Sequence, residues 1–196
     1  MVSPAVAHSE LILGGQKSGK SRRAEHLAQA WLAADPAHEA LLIATAQPWD
    51  AEMRERITRH QRDRAERVPG LRTHEEAHAL AHALRQHGQR HTLLVVDCLT
   101  LWLTHRLMPP EGQPAMDAGR LSAAIDELCQ AIATAPGPVV LVGNEIGLGV
   151  IPMGREVRAF VDALGQLNQA VAAGCERVTL MAAGLTLTLK DKPCAR

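Results

Sequence analysis

A mostly parallel α/β sheet, covered by helices on both faces and finished by an antiparallel C-terminal edge strand, is the fold class that this sequence predicts. Three observations predict it. Short apolar runs alternate with helix-period segments along the whole chain. The runs are apolar at consecutive positions, as strands buried on both faces must be. The run Leu11-Ile12-Leu13 leads directly into GGQKSGKS, a glycine turn that opens a helix.

Taken in order, a strand over 10–13 feeds the glycine turn, and an amphipathic helix follows over 20–34. The run ALLIAT gives a strand over 40–45, and the charged segment DAEMRERITRHQRDRAER a helix over 50–67. A helix is expected over 75–86, a strand over 92–97 (TLLVVD) and a helix over 99–107. The segment MPPEGQP, 108–114, reads as a surface loop. Helices over 117–134 and 155–173 flank a strand over 139–143, and a strand over 177–182 follows. The final strand, 185–190, comes only a glycine turn later, so it adds to the edge antiparallel. No repeat interrupts this order, and 1–196 reads as one domain.

The chain has 196 residues, with 21 basic and 21 acidic side chains. Zero net charge offers no overall field for nucleic acid or an anionic membrane, so charged ligands must be met by local clusters. Cys98, Cys129, Cys175 and Cys194 show no C-x-x-C spacing, which points to free thiols in a reducing, cytoplasmic setting. The N-terminal MVSPAVAHSE lacks the charged and apolar regions of a signal peptide, and no uncharged run is long enough to span a bilayer. Aromatic residues are few: Trp31, Trp49, Trp102 and Phe160. Base recognition therefore rests largely on polar and aliphatic groups.

Gly14, Gly15, Gln16, Lys17, Ser18, Gly19, Lys20 and Ser21 fit G-x-x-x-x-G-K-[ST] in its required strand-turn-helix setting. The fold expected is thus P-loop NTPase-like. The turn aims backbone N–H groups at phosphate, and the helix dipole favours an anion at the same point. Lys20 supplies a mobile charge for the β- and γ-phosphates, and Ser21 a hydroxyl for Mg²⁺.

Ligands in open α/β sheets sit beyond the carboxyl ends of the strands. Those ends are the phosphate loop, Thr45-Ala46-Gln47, Asp97-Cys98 and Asn144-Glu145. Asp97 closes an apolar run, where it either holds Mg²⁺, directly or through water, or caps the next helix. Glu145 opens a glycine-rich loop, where it either orients a substrate group or accepts a hydrogen bond within the loop. Met53, Ile57 and His60 fall at i, i+4 and i+7, which places His60 on a stripe facing the protein body. There it is either a satisfied, half-buried histidine or a reactive one. His74, His78 and His82 recur every fourth residue; no third ligand is properly placed for a metal, and a polar helix stripe is the better reading.

Together GGQKSGKS, IATAQPWDAEMRERITRHQRDR, VVDCLTLWLT, GNEIGLGVIPMGREVRAF and LNQAVAAGCERVTLMAAGLTLTLK resemble, in order, the bifunctional adenosylcobinamide kinase / adenosylcobinamide-phosphate guanylyltransferase family of cobalamin biosynthesis. The resemblance spans nearly the whole chain. It implies that a nucleoside triphosphate, ATP or GTP, phosphorylates the terminal hydroxyl of the aminopropanol arm of adenosylcobinamide. It also implies that His60 then takes GMP from GTP and passes it to the substrate phosphate, giving adenosylcobinamide-GDP. By the same resemblance GTP is held by the residues after the second strand, Thr45, Ala46 and Gln47, and by acids matching Glu75 and Asp97. Some members read K-D-G-R after the histidine; here Gln61, Arg62, Asp63 and Arg64 stand there, so nucleotide contacts differ at that point. The family's trimer, with nucleotide near a subunit boundary, implies a homo-oligomer. Two rivals share the phosphate loop: a plain small-molecule kinase without a covalent intermediate, and a nucleotide-controlled switch. The chain has no N-K-x-D motif for guanine reading of the switch type.

Overall fold

In a computed structural model, which describes residues 5–48, 51–110, 112 and 114–192, the chain forms a seven-stranded sheet. Trp49, the expected helix start at Asp50, Cys194 and parts of 1–10 and 108–114 lie outside the described residues.

The elements are β1 (Ser9–Gly14), α1 (Lys20–Ala34), β2 (Glu39–Ala44), α2 (Ala51–Arg67), β3 (Leu71–Glu75), α3 (Leu80–His87) and β4 (Thr92–Asp97), then α4 (Leu99–Leu107), α5 (Ala118–Ala133), β5 (Val139–Val142), α6 (Arg155–Gly174), β6 (Arg177–Ala182) and β7 (Leu185–Asp191). The strand order is β3-β2-β4-β5-β1-β6-β7. All neighbours are parallel except β6 and β7, which are antiparallel as the short glycine turn requires.

Period-two alternation divides the apolar strand residues between two cores. Leu11, Leu13, Leu41, Ile43, Leu94, Val96, Val139 and Leu141 pack with α3, α4, α5 and α6 on one face. Ile12, Ala40, Leu42, Leu93, Val95, Val140 and Val142 pack with Ala24, Leu27 and Ala28 of α1 and Val68 beyond α2 on the other. Both faces being buried explains why the central strands read as continuous apolar runs.

Three expectations need correction. A strand, β3, occupies 71–75, so the helix expected over 75–86 begins only at Leu80. β3 pairs with β2 alone and is mostly exposed, so LRTHE never had to be apolar. His74, His78 and His82 therefore share no helix stripe: His74 lies in β3, His78 in the connection and only His82 in α3. His60, expected to face the protein body, is instead exposed on α2. Asp117 stands just outside α5 as its N-cap, accepting from the Arg120 N–H at 2.9 Å.

Candidate nucleotide site

The phosphate loop leaves β1 at Gly14, whose φ of 151° and crowded surroundings exclude a side chain: an added Cβ would lie 2.4 Å from the Met181 carbonyl oxygen. Lys17 (φ 55°) and Gly19 (φ 103°) complete the turn before α1. The loop is clamped on two sides, the Gly184 N–H donating to Ser18 O (3.0 Å) and the Glu145 N–H to Gly14 O (3.1 Å). Lys20 is 8% exposed, and its Nζ donates to Gly15 O at 2.6 Å. Burial pulls its pKa down, against the opposing pull of Cys98 and Asp97. The Ser18 hydroxyl is buried with no protein partner among the described residues, and so offers a hydrogen bond to a ligand in the loop. Ser21 is half-buried in the first turn of α1.

Asp97 ends β4, two strands from β1 with β5 between. Cys98 is the N-cap of α4 and no side chain caps that helix, so the capping reading of Asp97 falls away. Its carboxylate carries no hydrogen bond or ion pair among the described residues, while its charge acts on Lys20 and Arg64. Thr45 locks the ends of β2 and β4 together. Its hydroxyl donates to Cys98 O (2.7 Å) and accepts from Cys98 N–H (2.8 Å), and its own N–H donates to Asp97 O (3.1 Å). Ala46, Gln47, Pro48, Glu75, Glu76 and Ala77 line an adjoining cleft of about 400 Å³.

α2 leaves this end of the sheet and joins the carboxyl end of β2 to the start of the parallel strand β3. Its last turn is anchored by a two-pronged ion pair, Arg67 donating to both Glu25 carboxylate oxygens at 2.8 and 2.9 Å. Gln61 donates to Glu75 at 3.2 Å, setting the middle of the helix over the end of β3. Arg64 is 9% exposed; burial lowers its pKa, opposed by Asp97 and Glu25. Its side chain has no hydrogen bond or ion pair within 4 Å among the described residues, which leaves a largely desolvated guanidinium on which the charges of Asp97 and Glu25 both act. His60, one turn before Arg64, is exposed, contrary to the expectation that it faces the body. The cause is the helix's composition. From Arg54 to Asp63 charged residues predominate, and among the described side chains only Ile57 and Asp63 are even half-buried, so this part stands clear of the core. Arg62 is exposed.

The structure thus brings the phosphate loop, Thr45-Ala46-Gln47, Glu75, Asp97, Gln61 and Arg64 to one edge of the sheet, with His60 at its rim. The importance of Arg64 as a buried cation was not legible from its charged helix face; its i+7 and i+11 spacing from Ile57 with Val68 was the available signal.

Residues 10–189 match the model of the family described as cobinamide kinase / cobinamide phosphate guanyltransferase. The chain belongs to that family. It is 46% identical, over 94% of its length and 98% of the relative's, to the bifunctional adenosylcobalamin biosynthesis protein CobP of Pseudomonas aeruginosa. It is 33% identical, over 92% of its length and 98% of the relative's, to the protein CobU of the same description from Escherichia coli. The solved flagellar accessory protein FlaH from Methanocaldococcus jannaschii superposes with a TM-score of 0.53 at 9% identity, covering 96% of this chain and 81% of that one, a likeness of fold alone. As a member of the cobinamide kinase / cobinamide phosphate guanyltransferase family, the protein is a bifunctional enzyme of cobalamin biosynthesis, with nucleotides and cobinamide as substrates. Among the described residues, no helix is long and apolar enough to cross a membrane.

Proposed function

We propose that one domain runs both reactions at this sheet edge, and that the second proceeds through GMP held covalently on His60. The observation that carries this reading is the placement of α2: Arg64 lies within the field of Asp97, which also acts on Lys20, and His60 stands about 6 Å further along the same helix. On this reading the exposed His60, with the Arg64 cation one turn away, attacks the α-phosphorus of a bound GTP. A neutral imidazole nitrogen attacks there, the P–O bond to pyrophosphate breaks, and pyrophosphate leaves with the electron pair. The cobinamide phosphate oxygen then forms the new P–O bond as the P–N bond breaks, returning the imidazole.

Lys20, Arg64 and the N-terminus of α1 neutralise phosphate charge in this scheme. Gln47 and Glu75, in the cleft beyond β2 and β3, supply polar contacts for the nucleoside, with Ala46 lining the cleft and the buried Thr45 locking the strand ends behind it. Trp102 is buried beneath Arg106 and Trp31 is stacked on His38, so both are engaged in packing. The oxygen donors Ser21 and Asp97 fit Mg²⁺, which takes one or two protein ligands and completes its shell with phosphates and water. When bound, Mg²⁺ withdraws charge from the phosphate oxygens. A cytoplasmic homotrimer, with this rim near a subunit boundary, completes the reading.

His60→Ala tests it by separating the two activities. The variant is expected to phosphorylate adenosylcobinamide at near the normal rate and to lose conversion of the phosphate to the GDP derivative by about 100-fold or more. Normal guanylyl transfer by the variant would sink the covalent mechanism and leave direct attack on GTP.

A further inference from the structure

The loop from Asn144 to Met153 has no part in the nucleotide scheme, yet it is built onto the phosphate loop. It starts at the carboxyl end of β5, between the strand that ends at Asp97 and the strand that ends at Gly14. The Asn144 N–H donates to the Thr100 hydroxyl (2.9 Å), Asn168 Nδ2 to Asn144 O (3.0 Å), and the Glu145 N–H to Gly14 O (3.1 Å). The far end is held by Arg158, which donates to Pro152 O and Met153 O at 2.8 and 2.6 Å. Between these anchors the chain presents Leu148, Val150, Ile151 and Met153 at 80, 96, 77 and 94% exposure. Apolar side chains so placed are poised for a partner surface.

Glu145 is half-buried at the root of this loop. Its Oε1 accepts from the Gly147 N–H at 2.7 Å, which fixes the carboxylate, and Oε2 has no hydrogen-bond partner among the described residues. A carboxylate oriented by one oxygen and open at the other, its own N–H bonded to the phosphate loop, has the make-up of a general base for an incoming hydroxyl.

We propose that this loop is the acceptor site of the kinase reaction: Glu145 takes the proton of the acceptor hydroxyl, and the exposed apolar side chains receive the body of the corrinoid. The occupant follows from continuity. The loop is hydrogen-bonded to the phosphate loop through Glu145 N–H, and the acceptor that the family's description names is cobinamide, a corrinoid macrocycle, whose reactive hydroxyl the family resemblance puts on the aminopropanol arm. As the hydroxyl oxygen bonds to the γ-phosphorus, its proton passes to Glu145. The bond from that phosphorus to the β,γ-bridging oxygen breaks, and the nucleoside diphosphate leaves with the electron pair. Glu145 then releases the proton to water. This assignment rests on the kinase activity of the family and is independent of His60.

Two variants test it, each with GMP loading from GTP labelled at the α-phosphate as the control for folding and nucleotide binding. Glu145→Gln is expected to lower kinase kcat by about 100-fold, with loading retained. Leu148→Ser/Ile151→Ser is expected to raise the KM for adenosylcobinamide about tenfold while kcat, loading and oligomeric state hold. Kinase kcat within threefold of normal in Glu145→Gln overturns the base. An unchanged KM, or dissociation of the oligomer in the double variant, overturns the docking surface and assigns the patch to a second copy of the chain. Loss of loading in both variants overturns the assignment to the acceptor side, whereas absence of loading in the unmutated protein contradicts the His60 mechanism alone.

Discussion

At Gly14 the phosphate loop has no room for even a methyl group. Its Cβ would meet Met181 O at 2.4 Å and Ser18 Oγ at 2.6 Å, at a φ of 151° that side chains rarely adopt. Gly14→Ala is expected to cost about 2 kcal/mol of stability, read by denaturant melts, and to weaken GTP binding, read by calorimetry. Gly15 has open space around its would-be Cβ, so Gly15→Ala serves as the matched control. The motif residues were legible in sequence because their spacing is dictated by phosphate and backbone geometry. His60 was legible as a chemical group through the family resemblance, but not as to exposure. Periodicity assigns a face to a helix and cannot say how far that helix extends beyond the core.

In the proposed scheme α2 is the element that joins the two reactions, since it carries both Arg64 and His60. The Gln61–Glu75 hydrogen bond holds its middle, and the Arg67–Glu25 pair and Val68 hold its last turn, so the position of His60 depends on one exposed contact beside it and on a firmer anchor about two turns away. Glu25→Ala is expected to destabilise the protein by about 2 kcal/mol, the scale for hydrogen bonds to a charged partner. It is also expected to reduce GMP loading more than kinase rate, because it loosens α2 while leaving the phosphate loop intact. Equal loss of both activities would contradict that division. β3 escaped sequence reading for a physical reason: paired on one side only and mostly exposed, it needs no apolar period, and LRTHE has only Leu71 as an apolar residue, whereas β7 at the other edge keeps one in LTLTL and was legible. The five central strands, buried on both faces, announced themselves.

Across the whole molecule, the sheet sorts its apolar residues into two cores and collects polar side chains at its carboxyl edge, and that division was readable in the sequence. The contacts that lock the edge were not, since they join residues far apart in the chain. His105, 4% exposed, interacts through Nε2 with Thr45 O at 2.8 Å, tying α4 to the end of β2. Burial lowers its pKa and that of His87 from the ordinary 6.5. Below that value the unfolded chain takes up protons that the folded chain refuses. Their contribution to stability is therefore complete above pH 6.5 and falls as pH drops toward the lowered values. Thermal melts from about pH 7.5 to about pH 5 are expected to show a falling Tm, with a shallower slope in His105→Gln.

Most direct is peptide mapping by mass spectrometry after incubation with GTP and Mg²⁺, with treatment of the adduct in acid and in base. A GMP group on the peptide carrying His60, lost in acid, stable in base and absent from His60→Ala, is the predicted result. No adduct on a protein that binds GTP, or GMP on a different residue, would contradict it.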